Sequence, residues 1–186
     1  ISKEEQKKNI LVLKKIMKNA NALKIKILEI PLVDSSSIKN EKEEEELIIN
    51  LKEITQEAKD LGILIGLETD YQPKKILKLL KKIDNENIVI NYDTGNSASL
   101  GFNPKEELTM TGKYIKNIHI KDRKLHGSTV PFGQGDVNFD LFFSTLNDIE
   151  YKGDLILQGA RVENENPEIT ITKYRDFILK YIERYF

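Results

Sequence analysis

The sequence predicts an α/β fold built on a parallel sheet, and three observations carry that prediction. Apolar runs of strand length recur at 23–31, 63–68, 88–92, 115–120 and 154–158, a period of about 30 residues that suits a strand plus a helix. Between them lie segments whose apolar residues keep helical spacing. The runs are rich in isoleucine and leucine and are read as strands covered on both faces, the usual state of a parallel sheet.

The elements follow in order. Ile10, Leu11, Leu13, Ile16 and Met17 define one face of a helix over 3–20, and a strand from Leu23 is closed by Pro31. Asp34-Ser35-Ser36-Ser37 reads as a turn. The acidic run Glu41–Glu46 then opens a helix carrying Leu47, Ile48, Leu51, Ile54 and Ala58, where anions suit the N-terminal end of the dipole. That run is expected to be a solvated first turn. Strand 63–68, helix 73–82, strand 88–92, helix 104–112 and strand 115–120 come next. A long loop leads into helix 139–147, strand 154–158 and helix 168–184. Asn103-Pro104 offers a cap and a proline at the first helical position. Gly62 and Gly153 punctuate helix-to-strand turns. Phe139, Phe142 and Phe143 sit at helical spacing and are assigned to the core.

Composition bounds the class. The chain has 186 residues, 39% of them hydrophobic and 32% charged, as for one globular domain. With 29 basic and 30 acidic residues the net charge is -1, which gives nucleic acid and anionic membranes no electrostatic footprint. No run approaches the ~20 apolar residues of a membrane span, and nothing near the start reads as a signal peptide. Cysteine is absent, which excludes disulfides and thiolate ligands. A cytoplasmic location is the default expectation. The chain starts at Ile1 rather than Met, suggesting a fragment.

Chemistry-bearing residues cluster where the runs end. Glu68 closes Ile63-Leu64-Ile65-Gly66-Leu67, Asp93 lies in Asn91-Tyr92-Asp93-Thr94-Gly95-Asn96, and His119 lies in Ile118-His119-Ile120-Lys121-Asp122-Arg123. Each alone would be an ordinary cap or a satisfied polar group. Together, at one register of consecutive βα units, they form a candidate site. Hard oxygen ligands with one imidazole suit one divalent ion, Mn²⁺, Co²⁺, Mg²⁺ or Zn²⁺. The small and amide residues from Thr94 to Asn96 would let a hydroxylated ligand approach the backbone. Lys121 and Arg123 would hold a phosphate, or else form a surface ion-pair cluster with Asp122. The glycine-rich loop His126–Asp136 would cradle phosphate on its backbone N–H groups, with His126 a weaker contact.

Strand-end chemistry is what a (β/α)₈ barrel uses, and such a barrel has eight units in typically ~250 residues. Five units are present, so the expectation is a single domain over 1–186 that forms the C-terminal part of a barrel, with strands one to three missing. A complete five-stranded doubly wound fold competes with it. A truncated barrel would expose strand edges near 25–30 and 154–158, with poor solubility or homo-oligomerisation as the expected result.

The motifs Gly66-Leu67-Glu68-Thr69, Tyr92-Asp93-Thr94-Gly95-Asn96 and His119-Ile120-Lys121-Asp122-Arg123 resemble the metal motifs of the xylose-isomerase-like sugar phosphate isomerase/epimerase superfamily. Val130-Pro131-Phe132-Gly133-Gln134-Gly135-Asp136-Val137-Asn138-Phe139 is similar to that family's Pro-x-Gly-x-Gly-x-Val-x-Phe loop. The nearest branch is the hexulose-phosphate isomerase and ribulose- or xylulose-5-phosphate 3-epimerase group. The resemblance covers Leu23 to Arg161. It implies a TIM barrel whose single divalent ion, held by Glu68, Asp93, His119 and the residue at 158, chelates a ketose or sugar phosphate through two adjacent oxygens. It implies Glu68 and residue 158 as the catalytic pair, with Asn96, Lys121, Arg123 and Arg161 on the substrate.

One position departs. The family's last-strand glutamate is here Gln158, whose carbonyl can ligate a cation but whose amide exchanges no proton near neutral pH. Epimerisation wants two opposed acid/base groups, whereas isomerisation through a cis-enediol can use Glu68 alone. The departure shifts weight toward isomerisation and keeps open a dehydratase or a catalytically silent sugar-binding relative. An abasic-DNA endonuclease of the same barrel type needs many histidines, and this chain has two.

Overall fold

The computed structural model describes residues 2–186, so Ile1 lies outside the described residues. Five strands take the hydrogen-bonded order β1-β2-β3-β4-β5, with each registered pair parallel. Their ranges are β1 Ile27–Leu32, β2 Leu64–Thr69, β3 Ile88–Asp93, β4 Ile115–Ile120 and β5 Asp154–Leu157. The chain divides into two compact units, meeting between Ile90 and Asn91 within β3.

In the first unit, helices α1 (Lys3–Ala22), α2 (Glu41–Asp60) and α3 (Pro73–Ile83) accompany β1, β2 and the start of β3. Ser2 caps α1 in a reciprocal box with Glu5, and Asn40 caps α2. The core takes one stripe from each helix: Met17 and Ala20, then Leu51, Ile54 and Ala58, then Ile76, Leu79 and Ile83. These pack with Ile63, Ile65 and Leu67, each burial being worth about 1.5–3 kcal/mol for the larger side chains.

Two boundaries differ from expectation. The strand begins at Ile27 because Leu23 to Ile25 close α1: Leu23 N donates to Asn19 O at 3.0 Å, and Lys24 turns left-handed at φ +61°. Pro31 lies inside β1, in register with Glu68, rather than ending the strand. Proline is tolerated there because β1 stands first in the strand order and need not donate on that side. The acidic run also yields a correction. Glu44 is buried, accepting from Tyr71 Oη at 3.0 Å and Lys82 Nζ at 2.6 Å. The Lys82 ammonium is the main reason its carboxyl titrates below the usual range.

The second unit holds the end of β3, then α4 (Thr94–Ser99), α5 (Pro104–Thr111), β4, α6 (Phe139–Asp148), β5 and α7 (Pro167–Tyr185). Helix α4 was not anticipated, being Thr-Gly-Asn-Ser-Ala-Ser. It forms because Asp93 caps it, accepting from Asn96 N at 2.8 Å. Phe139, Phe142 and Phe143 are buried as expected, and α6 packs between α5 and α7. Gly62 adopts φ +62° as a helix terminator. Gly153 serves differently: a Cβ there would lie 2.2 Å from Tyr151 Oη, so the site needs a hydrogen. No helix among the described residues is long and apolar enough to cross a membrane.

Candidate functional site at the strand ends

In the first unit, Glu68 is the penultimate residue of β2 and is buried. The register sets Glu29 beside Gly66, and residues two apart on a strand share a face, so Glu29 and Glu68 project to one side. Their carboxylates offer oxygens within 4.8 Å of each other. Two like charges that close favour a cation beside them. Sequence reading missed Glu29. Its signal was an acid in mid-strand between Leu28 and Ile30, where an apolar residue would be expected.

The second unit carries a ladder of polar side chains along β3 and β4. Asn117 Nδ2 donates to Asn91 Oδ1 at 2.7 Å, and Asn91 Nδ2 faces His119 Nδ1 at 3.4 Å. His119 Nδ1 stands 4.0 Å from Asp93 Oδ2, on which Lys121 Nζ closes at 2.8 Å. The same ring nitrogen, Nδ1, therefore lies beside both the Asn91 amide and the Asp93 carboxylate. Asp93 is 4% exposed. Its Oδ1 takes the Asn96 N–H while its Oδ2 meets the ammonium.

The neighbours expected to meet a ligand are largely occupied in holding this cluster. The Thr94 hydroxyl donates to Lys121 O at 2.6 Å and accepts from Lys121 N at 2.9 Å, which ties the end of β3 to the end of β4. A Cβ on Gly95 would come within 2.8 Å of Lys121 Cγ. The space over Gly95 therefore seats the Lys121 stem. Arg123 donates through Nε and Nη2 to Gly127 O at 3.1 and 2.9 Å, and through Nη1 to Asn96 Oδ1 at 2.8 Å.

Asp122 is no member of a surface cluster. It is 1% exposed, and Gly133 N, Gly135 N and Val137 N donate to its carboxylate at 2.9, 2.8 and 3.3 Å. The loop expected to cradle phosphate thus spends these N–H groups on an internal anion. Phe132 pins the same loop from its other side, its ring 4.3 Å from that of Tyr174. His126 is exposed, sits at φ +52° and donates its backbone N–H to Ser99 O at 2.8 Å.

Gln158 follows β5 directly, its N–H donating to Ile120 O at 2.8 Å. It and Arg161 line a cavity of about 440 Å³ with Glu165, Thr170 and Tyr174. On the opposite side of β3 from Asp93, Tyr92 Oη donates to Glu107 Oε2 at 2.9 Å and the Ser97 hydroxyl donates to the same oxygen. Burial lifts the Glu107 carboxyl to about 7, against the downward pull of Ser97 and Tyr92.

Repeated βα units with polar side chains gathered at the strand ends define an α/β protein of the barrel type, which places its chemistry at the carboxyl ends of parallel strands. The chain belongs to the xylose isomerase-like TIM barrel family, whose profile matches residues 1–177. It is 35% identical over 99 residues to a putative L-ribulose-5-phosphate 3-epimerase of Haemophilus influenzae, covering 50% of this chain and 35% of that protein. It is 28% identical over 176 residues to an inosose dehydratase of Clostridium botulinum, covering 81% of this chain and 59% of that protein. The crystal structure of an IolI protein with a zinc atom superposes with a TM-score of 0.85 at 20% identity, covering all of this chain and 73% of that one. The chain spans about a third to three-fifths of the curated relatives it matches.

Proposed function

We propose that this chain belongs to a divalent-metal-dependent enzyme that isomerises or epimerises a ketose or sugar phosphate through an enediolate. It would supply five of the eight βα units of a single barrel domain. The observation that carries the reading is the ladder Asn117–Asn91–His119–Asp93–Lys121, which sets a carboxylate and an imidazole side by side at adjacent strand ends. The donor set fits a hard divalent cation: Asp93 and His119, with Glu68 and the carbonyl of Gln158 completing it. When bound, the ion supplies Lewis acidity toward a substrate carbonyl and hydroxyl.

This chain's residues would do the rest. Glu68 would remove the proton on the carbon next to the carbonyl and return it to the carbonyl carbon, while the proton of the adjacent hydroxyl passes to the carbonyl oxygen, which interconverts aldose and ketose on one face of the enediolate. Lys121, seated on Asp93, stabilises developing oxyanion charge. Arg123 keeps two N–H bonds beyond those to Gly127 and Asn96, and these with Asn96 and Arg161 orient the sugar. Gln158 cannot act as an acid or a base, which leaves a second proton donor for epimerisation unsupplied by the last strand. A dehydratase or a silent sugar-binding protein is the second reading, favoured by Gln158 and by the likeness to an inosose dehydratase.

The test is solvent-deuterium exchange into a panel of pentuloses, hexuloses and their phosphates with Mn²⁺, followed by NMR, using the complete gene product. Metal-dependent labelling that Glu68→Gln abolishes is the expected result, and the labelled carbon separates isomerase from epimerase. Absence of label in every sugar, with Mn²⁺ bound, would overturn proton-transfer chemistry in favour of the silent reading.

A further inference from the structure

We infer that Asp122 is a positioning residue: its carboxylate replaces an external anion in the backbone of the loop after β4 and, through that loop, Arg123 and Asn96, fixes the carboxylate of Asp93. The inference rests on the metal-site reading above and extends it beyond the ligands.

The path is continuous within the second unit. Three loop N–H groups converge on Asp122, and a Cβ on Gly135 would lie 1.9 Å from its Oδ1, so only glycine lets that backbone approach. The loop is fastened beside it, with Val130 N donating to Asp122 O and Asp136 N to Arg123 O, each at 2.9 Å. The folded loop presents Gly127 O to Arg123, which accepts from both Nε and Nη2 and leaves Nη1 directed at Asn96 Oδ1. Asn96 in turn donates its backbone N–H to Asp93 Oδ1 at 2.8 Å. Because residues alternate along an extended chain, Asp122 points back into the loop while Lys121 and Arg123 point toward Asp93 and Asn96. One strand end thus both anchors the loop and aims its flanking cations.

Groups that hold a ligand in place from outside the coordination sphere typically cost 10–100-fold in metal affinity when removed. The probe is Co²⁺, followed by its visible absorption bands, titrated into the complete gene product and its variants. Asp122→Gly should weaken Co²⁺ binding by about 10–100-fold, and added formate, a carboxylate small enough for the vacated space, should restore much of the loss. Asp122→Asn keeps the volume and one acceptor oxygen, so its loss should be smaller and insensitive to formate. Leu146→Ala, a core change in α6, should lower the melting temperature yet leave Co²⁺ affinity unchanged. Wild-type affinity in both Asp122 variants would overturn the inference, as would an Asp122→Gly loss that formate does not reverse. If Asp122→Gly fails to fold, Asp122→Asn decides: unchanged affinity overturns the inference and reduced affinity supports it. Absence of Co²⁺ uptake by the unmutated protein would instead overturn the metal reading itself, and this inference with it.

Discussion

Neighbouring residues of β3 bury polar groups on opposite sides of one strand, and the two sides are satisfied in different ways. Behind the strand, Tyr92 and Ser97 donate to Glu107, and the Tyr92 ring lies parallel to Phe142 with centroids 6.0 Å apart. Both donors are neutral, so burial wins and the carboxyl is pushed up to about 7. In front, Asp93 meets the Lys121 ammonium at 2.8 Å and an imidazole at 4.0 Å. Burial of an acid therefore does not by itself mark a site. What distinguishes the front face is a charged, ligand-competent environment, whereas the rear cluster is closed upon itself and reads as structure.

The comparison can be broken from either side, and the largest effect is expected behind the strand. Phe142→Ala removes a fully buried ring from α6 and should cost about 3–5 kcal/mol in denaturant unfolding, with Co²⁺ affinity retained. Next is the pH dependence of Glu107. Its folded value lies above its unfolded value of 4.5, so the folded chain holds a proton that the unfolded chain releases. The stability from this group is full below about pH 4.5 and is lost as pH rises through about 7, a change of about 3 kcal/mol. Glu107→Gln should flatten that part of the stability profile between pH 5 and 8 in thermal melts, relative to wild type.

The front face should respond in the opposite sense. Asp93→Asn preserves the cap of α4, since asparagine caps as well as aspartate, yet it should weaken Co²⁺ binding by at least about 100-fold. Calorimetric titration would measure that loss, and the melting temperature should fall as well, because the Lys121 ammonium loses its buried carboxylate partner. The smallest effect is expected at the start of α5, the helix that carries Glu107. Asn103 accepts from Lys105 N at 2.9 Å, and Asn103→Ala should cost about 1 kcal/mol of stability without affecting metal.

The contrast also shows what could be read from residues alone. The five strands were legible because each carries a cluster of isoleucine, leucine or valine at a period of about 30 residues, and Glu68, Asp93 and His119 stand at or beside the ends of β2, β3 and β4 as their positions implied. The start of β1 was obscured because apolar Leu23 and Ile25 close α1 without any glycine or proline to mark the turn. Helix α4 was invisible since Thr94 to Ser99 hold only one good helix former, Ala98, among Gly, Asn, Ser and Thr, and depend on the Asp93 cap. Asp122 looked like part of a charged surface because sequence lists neighbours without saying that alternate side chains of an extended segment face opposite ways. Glu44 did carry a signal: it stands seven residues before Leu51 and fourteen before Ala58, on the buried stripe of α2.

The most direct test of the front-face assignment is anomalous diffraction from crystals of the complete gene product grown with Mn²⁺. The account predicts one strong peak touching both the Asp93 carboxylate and the His119 imidazole, with Glu107 untouched. A peak that avoids Asp93 and His119, or one that lies against Glu107, would contradict it.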